Sequence, residues 1–238
     1  GTQKIEEMAT KMFPKARILR MDLDTTSKKG GHQQILSAFA RGEADILIGT
    51  QMIVKGHDFP NVTLVGILAA DLSLHASDFR AAERTFQLLV QSSGRAGRGE
   101  KPGQVIIQTR DVNHYCWQYV KNGDYEGFYD YEIALRKRRR YPPFINLALL
   151  RISYPMDWAD GPTQLARITA LLRSESKGVT VLGPAPAPLP LLRGRRRFQC
   201  LLKAGDWQSI RALYAVLLPL ASPPNLRISL DIDPVNML

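Results

Sequence analysis

Short apolar runs recurring between stretches of helical period constrain the fold of this chain most. Asp45-Ile46-Leu47-Ile48-Gly49 is too short for a helix and too continuously apolar for a half-exposed strand, which fits a strand buried in a parallel sheet. Similar runs occupy residues 16–21, 62–69 and 104–109. Between them, residues 33–40 and 78–90 carry apolar side chains at helical spacing, with Ser77 placed to cap the second. A first helix, capped by Thr2, carries Ile5, Met8, Ala9, Met12 and Phe13 and stops at Pro14. This strand–helix repetition predicts an α/β fold, a doubly wound parallel sheet with helices on both faces. Such sheets bind ligands on the loops at the carboxyl ends of their strands.

The pattern changes in the second half. Residues 112–140 read as helical and end in the five cations Arg136 to Arg140. Tyr141-Pro142-Pro143-Phe144 then stops any helix, because each proline excludes the α region for its predecessor. Strands are expected at 146–154, 179–182, 196–203 and 226–232, and helices at 163–172 and 207–218. That order, βαββαβ, is the pattern of a smaller α+β, ferredoxin-like domain, with Pro184 to Pro190 as a link between its halves. The expected division is a first domain over 1–112, a basic helical linker over 113–143 and a C-terminal α+β domain over 144–238.

The net charge of +10 leaves nucleic acid, an anionic surface or plain solubility as readings. No apolar run reaches the ~18 residues of a spanning helix, so a membrane protein is not expected. The two cysteines, Cys116 and Cys200, lie far apart in apolar surroundings. They read as buried free thiols in a reducing cytoplasm, and no Cys/His cluster offers a metal site. The opening Gly1-Thr2-Gln3, with neither initiator methionine nor signal peptide, reads as part of a longer chain.

Two motifs carry chemistry. Gln91-Ser92-Ser93-Gly94-Arg95-Ala96-Gly97-Arg98 ends a predicted helix, and its two arginines, three apart with glycines between, can grip a multiply charged phosphate through forked hydrogen bonds. By itself such a loop is also an ordinary solvated turn. Gly49 to Val62 opens where a strand ends. In it Thr50, Gln51 and Lys55 can bond phosphate oxygens, Asp58 can accept from a sugar hydroxyl, and His57 is more simply a packing residue. By itself this is also a common polar loop.

Together, GTQ-x₄-GHDFP and QSSGRAGR resemble motifs V and VI of superfamily-two helicases. Arg20-Met21-Asp22-Leu23-Asp24-Thr25-Thr26, Ala81-Ala82-Glu83-Arg84, Tyr141-Pro142-Pro143-Phe144 and Leu230-Asp231-Ile232-Asp233-Pro234 extend the resemblance to the PriA (primosomal protein N′) family of replication-restart helicases. The resemblance implies that the first half is a second RecA-like helicase lobe. It also implies 3′-to-5′ unwinding at stalled forks, driven by ATP with magnesium held between two lobes, and primosome assembly. Arg95 and Arg98 match the motif VI arginines, with Arg98 as arginine finger. Gly56, Asp58 and Gln91 match nucleotide-facing positions, and Thr50, Gln51 and Lys55 match the DNA-coupling segment. The family's P-loop, DExH box and zinc-binding cysteines are not in this sequence, so the chain alone is expected to be inactive. The alternatives are a RecG-like motor and a non-enzymatic DNA- or protein-binding module with a relic lobe.

Two basic clusters remain. Arg138 and Arg139, in the run 136–140, either track a DNA backbone or form a solvated helix end stabilised by the helix dipole. Arg195, Arg197 and Gln199 share one face of a predicted strand, opposite Arg196 and Phe198. They are candidates for DNA phosphates or, by the resemblance, for the acidic tail of single-strand-binding protein. A charge-blunted edge strand is the alternative. The expected partners are forked and single-stranded DNA, that tail and other primosome proteins.

Overall fold

The computed structural model describes residues 1–22, 25–26, 31–50, 53, 59, 61–94, 102–222 and 224–237. The chain forms two compact units, one of residues 1–74 and 82–123, the other of residues 75–81 and 124–238.

The first unit is mixed α/β. Its elements are α1 (Thr2–Met12), β1 (Ile18–Met21), α2 (Gly31–Ala40), β2 (Ile46–Gly49), β3 (Leu64–Ile67), α3 (Asp71–Leu74), α4 (Ala81–Ser93), β4 (Gln104–Ile107) and α5 (Cys116–Asn122). β1 pairs in parallel with β2, Ile18 opposite Ile46, and β3 with β4, Leu64 opposite Gln104. Each ladder is thus a strand–helix–strand unit, as parallel pairing demands. One continuous sheet was expected; among the described residues no ladder joins β2 to β3. A ladder of two strands cannot cover both faces, and Leu64 and Ile106 are accordingly exposed.

Local chemistry shifts several expected boundaries. Thr2 does not cap α1; Gly1 is the N-cap, and the Thr2 hydroxyl donates to Asp22 Oδ2 at 2.6 Å. α4 starts at Ala81 rather than after Ser77, because the Ala81 and Arg80 N–H groups turn back onto the Asp78 carbonyl and carboxylate, both at 3.0 Å.

The second unit contains α6 (Tyr125–Arg139), β5 (Asn146–Pro155), α7 (Gly161–Ser174), β6 (Val179–Leu192), β7 (Arg195–Ala204), α8 (Trp207–Leu217) and β8 (Arg227–Ile232). The strands form one antiparallel sheet in the order β6-β7-β5-β8. One face, with Leu150, Ile152, Cys200 and Leu202, forms the core together with Ile168 and Leu172 of α7 and Ile210, Leu213 and Leu217 of α8. Leu147, Leu149 and Leu201, at alternate positions, belong to the other face, where they pack with Phe79, Tyr141 and Met237.

Residues 113–143 hold two helices, one in each unit. α5 ends at Gly123 in the left-handed region (φ 64°), and α6 is capped by Asp124, which accepts the Gly127 N–H at 2.9 Å. Phe128 and Glu132 bury α6 in the second unit.

The proline-rich stretch 184–190 is strand, not link. β6 lies at the sheet edge, where only one side of the strand must pair. The prolines occupy alternate positions, and this stretch keeps its place in the ladder through the Ala185–Gln199 and Pro186–Phe198 pairs. Register shifts between Leu182 and Ala185 and between Pro186 and Leu191 absorb the irregularity.

Candidate nucleotide and nucleic-acid sites

The polar loop leaves the sheet at Gly49, the last residue of β2. A Cβ there would lie 2.6 Å from the Met21 carbonyl oxygen and 2.9 Å from Ile53 Cγ2, so only glycine lets β2 end this close to β1. Thr50 is exposed at the carboxyl end of the strand, and its carbonyl accepts the Ile53 N–H at 3.2 Å. Phe59, farther along, meets Phe39 of α2 edge to face, centroids 5.0 Å apart. Gln51, Lys55, Gly56, His57 and Asp58 lie outside the described residues.

α4 carries the second motif. Phe86 and Leu89 are buried and fix the helix, while Gln91 is exposed in its last turn. The Ser92 and Ser93 hydroxyls fold back on their own helix and donate to the carbonyls four residues earlier, Leu88 (2.7 Å) and Leu89 (2.8 Å). The Gly94 N–H bonds the Val90 carbonyl at 3.1 Å. Arg95 and Arg98, which follow directly in sequence, lie outside the described residues.

The carboxyl end of β1 holds a polar cluster whose chemistry the motif pattern did not disclose. Buried Asp22 accepts the Thr2 hydroxyl and, at 3.0 Å, the Thr25 N–H, while Arg20 Nε stands 3.2 Å from its Oδ2. The Thr2 hydroxyl, then the Thr25 N–H and hydroxyl and the Arg20 charge, hold this carboxyl down at about 2. The Thr25 and Thr26 hydroxyls close the turn on the Asp22 carbonyl at 3.1 and 2.6 Å. The adjacent threonines in the sequence are the signal for this turn. Asp71, also buried, accepts the Arg110 N–H at 3.3 Å and so ties together the chain beyond β3 and β4.

In the second unit Arg195, Arg197 and Gln199 occupy the face opposite Phe198, which stacks on Tyr154 in the core. Arg195 is heavily engaged. It donates to Ser153 Oγ (3.2 Å) and to the carbonyls of Ser153 (2.8 Å), Pro224 (2.9 Å) and Asn225 (2.8 Å). Burial, then the nearby Arg227 charge, pushes its pKa down. Arg197 donates to the Leu189 carbonyl at 3.4 Å, a longer bond than any that Arg195 makes. In register, Ser153 stands between Arg197 and Arg227, and Arg151 stands between Gln199 and Ser229. Arg151 is paired with Asp231 at 2.7 Å. This part of the sheet face is therefore mostly basic.

Arg138 and Arg139 are exposed in the last turn of α6. There the left-handed Arg140 (φ 53°) ends the helix, and the Tyr141 N–H caps the Arg136 carbonyl at 2.9 Å. The buried Lys203 adds a cation that the sequence reading overlooked. Its Nζ lies 3.4 Å from the centre of the Tyr141 ring and 3.4 Å from the Arg139 carbonyl. Among the described residues no group of three or more His, Cys, Asp or Glu is arranged to hold a metal ion, and no helix is long and apolar enough to cross a membrane.

The chain thus joins a mixed α/β unit, with polar segments at the ends of β2 and α4, to a unit built on an antiparallel sheet with a basic face. Residues 2–100 match the helicase conserved C-terminal domain, which implies a RecA-like fold, and residues 137–235 match the primosomal protein N C-terminal domain. The whole chain is 48% identical to the replication restart protein PriA of Bacillus subtilis, covering 30% of that protein. It is 43% identical to that of Synechocystis, covering 28%, and 39% identical over 240 residues to that of Treponema pallidum, covering 36%. The chain belongs to the PriA replication restart family and spans about a third of the length of these relatives.

Proposed function

We propose that this chain is the second motor lobe and C-terminal domain of an ATP-dependent 3′-to-5′ DNA helicase that acts in replication restart and primosome assembly at stalled forks. One observation carries the reading: both polar segments, at the end of β2 and at the end of α4, fall inside the stretch matched by the helicase domain. In this reading ATP and its magnesium lie between this lobe and another that brings the P-loop and DExH residues. Arg98 and Arg95 stabilise charge on the terminal phosphate. Gly56, Asp58 and Gln91 face the nucleotide, and Thr50, Gln51 and Lys55 couple it to the DNA backbone. The chain by itself does not hydrolyse ATP, and the family's zinc is held elsewhere in the full-length protein.

We read the second unit as a ferredoxin-like domain, supported by its strand order and antiparallel pairing. Its basic face, with Arg197 more available than Arg195, receives DNA phosphates or the acidic tail of single-strand-binding protein. Arg138 and Arg139 add charge for DNA. The test is DNA-stimulated ATP hydrolysis by the full-length protein on forked and blunt DNA, with and without Arg98→Ala. The reading expects turnover that depends on DNA, prefers forks and drops at least ~100-fold in the variant. Normal hydrolysis by Arg98→Ala would make this part of the protein a binding module.

A further inference from the structure

The second unit holds a cavity of about 390 Å³ beside the end of α6, the segment 77–79 and Met237. Every residue that lines it belongs to that unit. Phe79, Leu135, Tyr141 and Met237 give it apolar walls. Phe79 stacks on Tyr141 with centroids 5.0 Å apart and planes inclined by 13°, and both rings pack against Leu147, Leu149 and Met237. Each ring also carries a cation: the Arg80 guanidinium lies 4.3 Å from the centre of Phe79, and Lys203 Nζ 3.4 Å from that of Tyr141. The aromatic wall is therefore set before anything enters, and a ligand does not have to order it.

The polar part of the lining is mixed in character. Arg136 is held by Glu132 at 3.2 Å and lies 5.0 Å from the centre of Phe79, so the cavity meets a planar cation already fixed in place. Ser77 and Asp78 bring a hydroxyl and a carboxylate, and exposed Arg139 brings a second guanidinium. A planar ligand with donors and acceptors along its edge suits such a lining, with its face on a guanidinium or a ring. A nucleobase has that form, whereas a phenyl side chain has the face without the edge. The volume lies at the small end of the range for ligand pockets, about 300–1,000 Å³, and gives room for a single base. A base inside a duplex is paired and stacked on both faces, so only an unstacked one can enter. Arg138, Arg139 and Arg140, all exposed at the end of α6, supply charge for the adjoining phosphates.

We propose that this cavity binds one unstacked base of single-stranded DNA, with Arg136 as its stacking surface and Arg139 on a neighbouring phosphate. The proposal rests on the reading of the α6 end as a DNA contact. It gives the site a power that charge alone lacks, which is to tell a strand with bases from a bare sugar–phosphate chain. Arginine suits the stacking role because its guanidinium is planar; lysine offers a point charge without that plane.

The experiment measures binding of the full-length protein to two single strands of equal length, over a range of salt. One is oligodeoxythymidylate and the other is the same backbone with abasic sites. The variants are Arg136→Lys, which keeps the charge and removes the plane, Ser77→Leu, which narrows the cavity with an aliphatic group, and Arg139→Ala. In Arg136→Lys and Ser77→Leu the preference for the base-bearing strand is expected to fall about tenfold, with the salt dependence unchanged. A misfolded fraction would lower the binding of both strands alike and leave the preference alone. Ser77 is exposed, so the larger side chain there disturbs no core. Arg139→Ala should weaken both strands and reduce the salt slope by about one. An unchanged preference in both other variants, with the slope reduced in Arg139→Ala, would overturn the base site and leave the α6 end as a DNA contact. An unchanged slope in Arg139→Ala would overturn both.

Discussion

Gly49 shows how little room separates the polar loop from the strand beside it. A Cβ at that position has the Met21 oxygen at 2.6 Å and Ile53 Cγ2 at 2.9 Å, and the backbone atom cannot yield as a side chain would. Gly49→Ala is expected to cost about 1–3 kcal/mol, read from denaturant midpoints. Asp22 links the motif Arg20 to Thr26 to acid stability. Its folded pKa of about 2 lies below the ordinary 3.8, and Asp45, bonded first by the Arg17 side chain and then by its N–H, is also held at about 2. A depressed carboxylate stabilises the fold above the unfolded value, and that contribution is lost as pH falls from 3.8 towards 2. The melting temperature should therefore drop between about pH 4 and 2; in Asp22→Asn the drop should be shallower and the protein less stable at neutral pH. An unchanged acid limb in that variant would remove Asp22 from the account. The pattern of this motif was visible in the sequence, but the Thr2 hydroxyl that contributes most to the shift comes from 20 residues away, and no local rule connects the two.

At the scale of elements, β6 is the strand that local propensity hides. Four prolines in seven residues read as a link until their alternate spacing is set against a sheet edge. Ala185→Pro would remove the N–H of a residue that pairs with Gln199 and is expected to cost about 1–3 kcal/mol, whereas replacing Pro188, which has no N–H to lose, should cost less. Equal losses at the two sites, measured by thermal unfolding, would refute a part for the Ala185 N–H in the ladder. The β6–β7 turn follows a local rule instead. Arg193 and Gly194 have φ of 51° and 71°, as a two-residue hairpin turn with the strand twist requires, and glycine takes the second position at no steric cost. α6 shows the opposite weighting. Its basic end, Arg136 to Arg139, is plain in the sequence and matches the helix dipole. The Phe79 ring under Arg136 and the Lys203 ammonium over Tyr141 come from other parts of the chain.

For the whole molecule, charge and missing motifs make two predictions. With a net charge of +10, the isolated chain should bind single-stranded DNA with an affinity that falls steeply between ~50 and ~200 mM salt. Arg197→Ala with Arg227→Ala should reduce the slope of that dependence; an unaltered slope would put the contact off this sheet face. The same chain should show no ATP hydrolysis with or without DNA, since it has neither P-loop nor DExH sequence. Periodicity, proline placement and ordered motifs were enough to determine the two-part α/β and α+β character, the order of elements in the second unit and membership of the PriA family. These signals are carried by residues near one another in the chain, where propensity and spacing act. The tertiary structure alone decided that residues 75–81 join the second unit, that the prolines of β6 lie on an edge, that the guanidinium of Arg195 is taken up by carbonyls and that Asp22 is bonded by Thr2. Each of these depends on which distant groups meet, because burial and hydrogen bonding are settled between surfaces brought together by folding and not between neighbours in sequence.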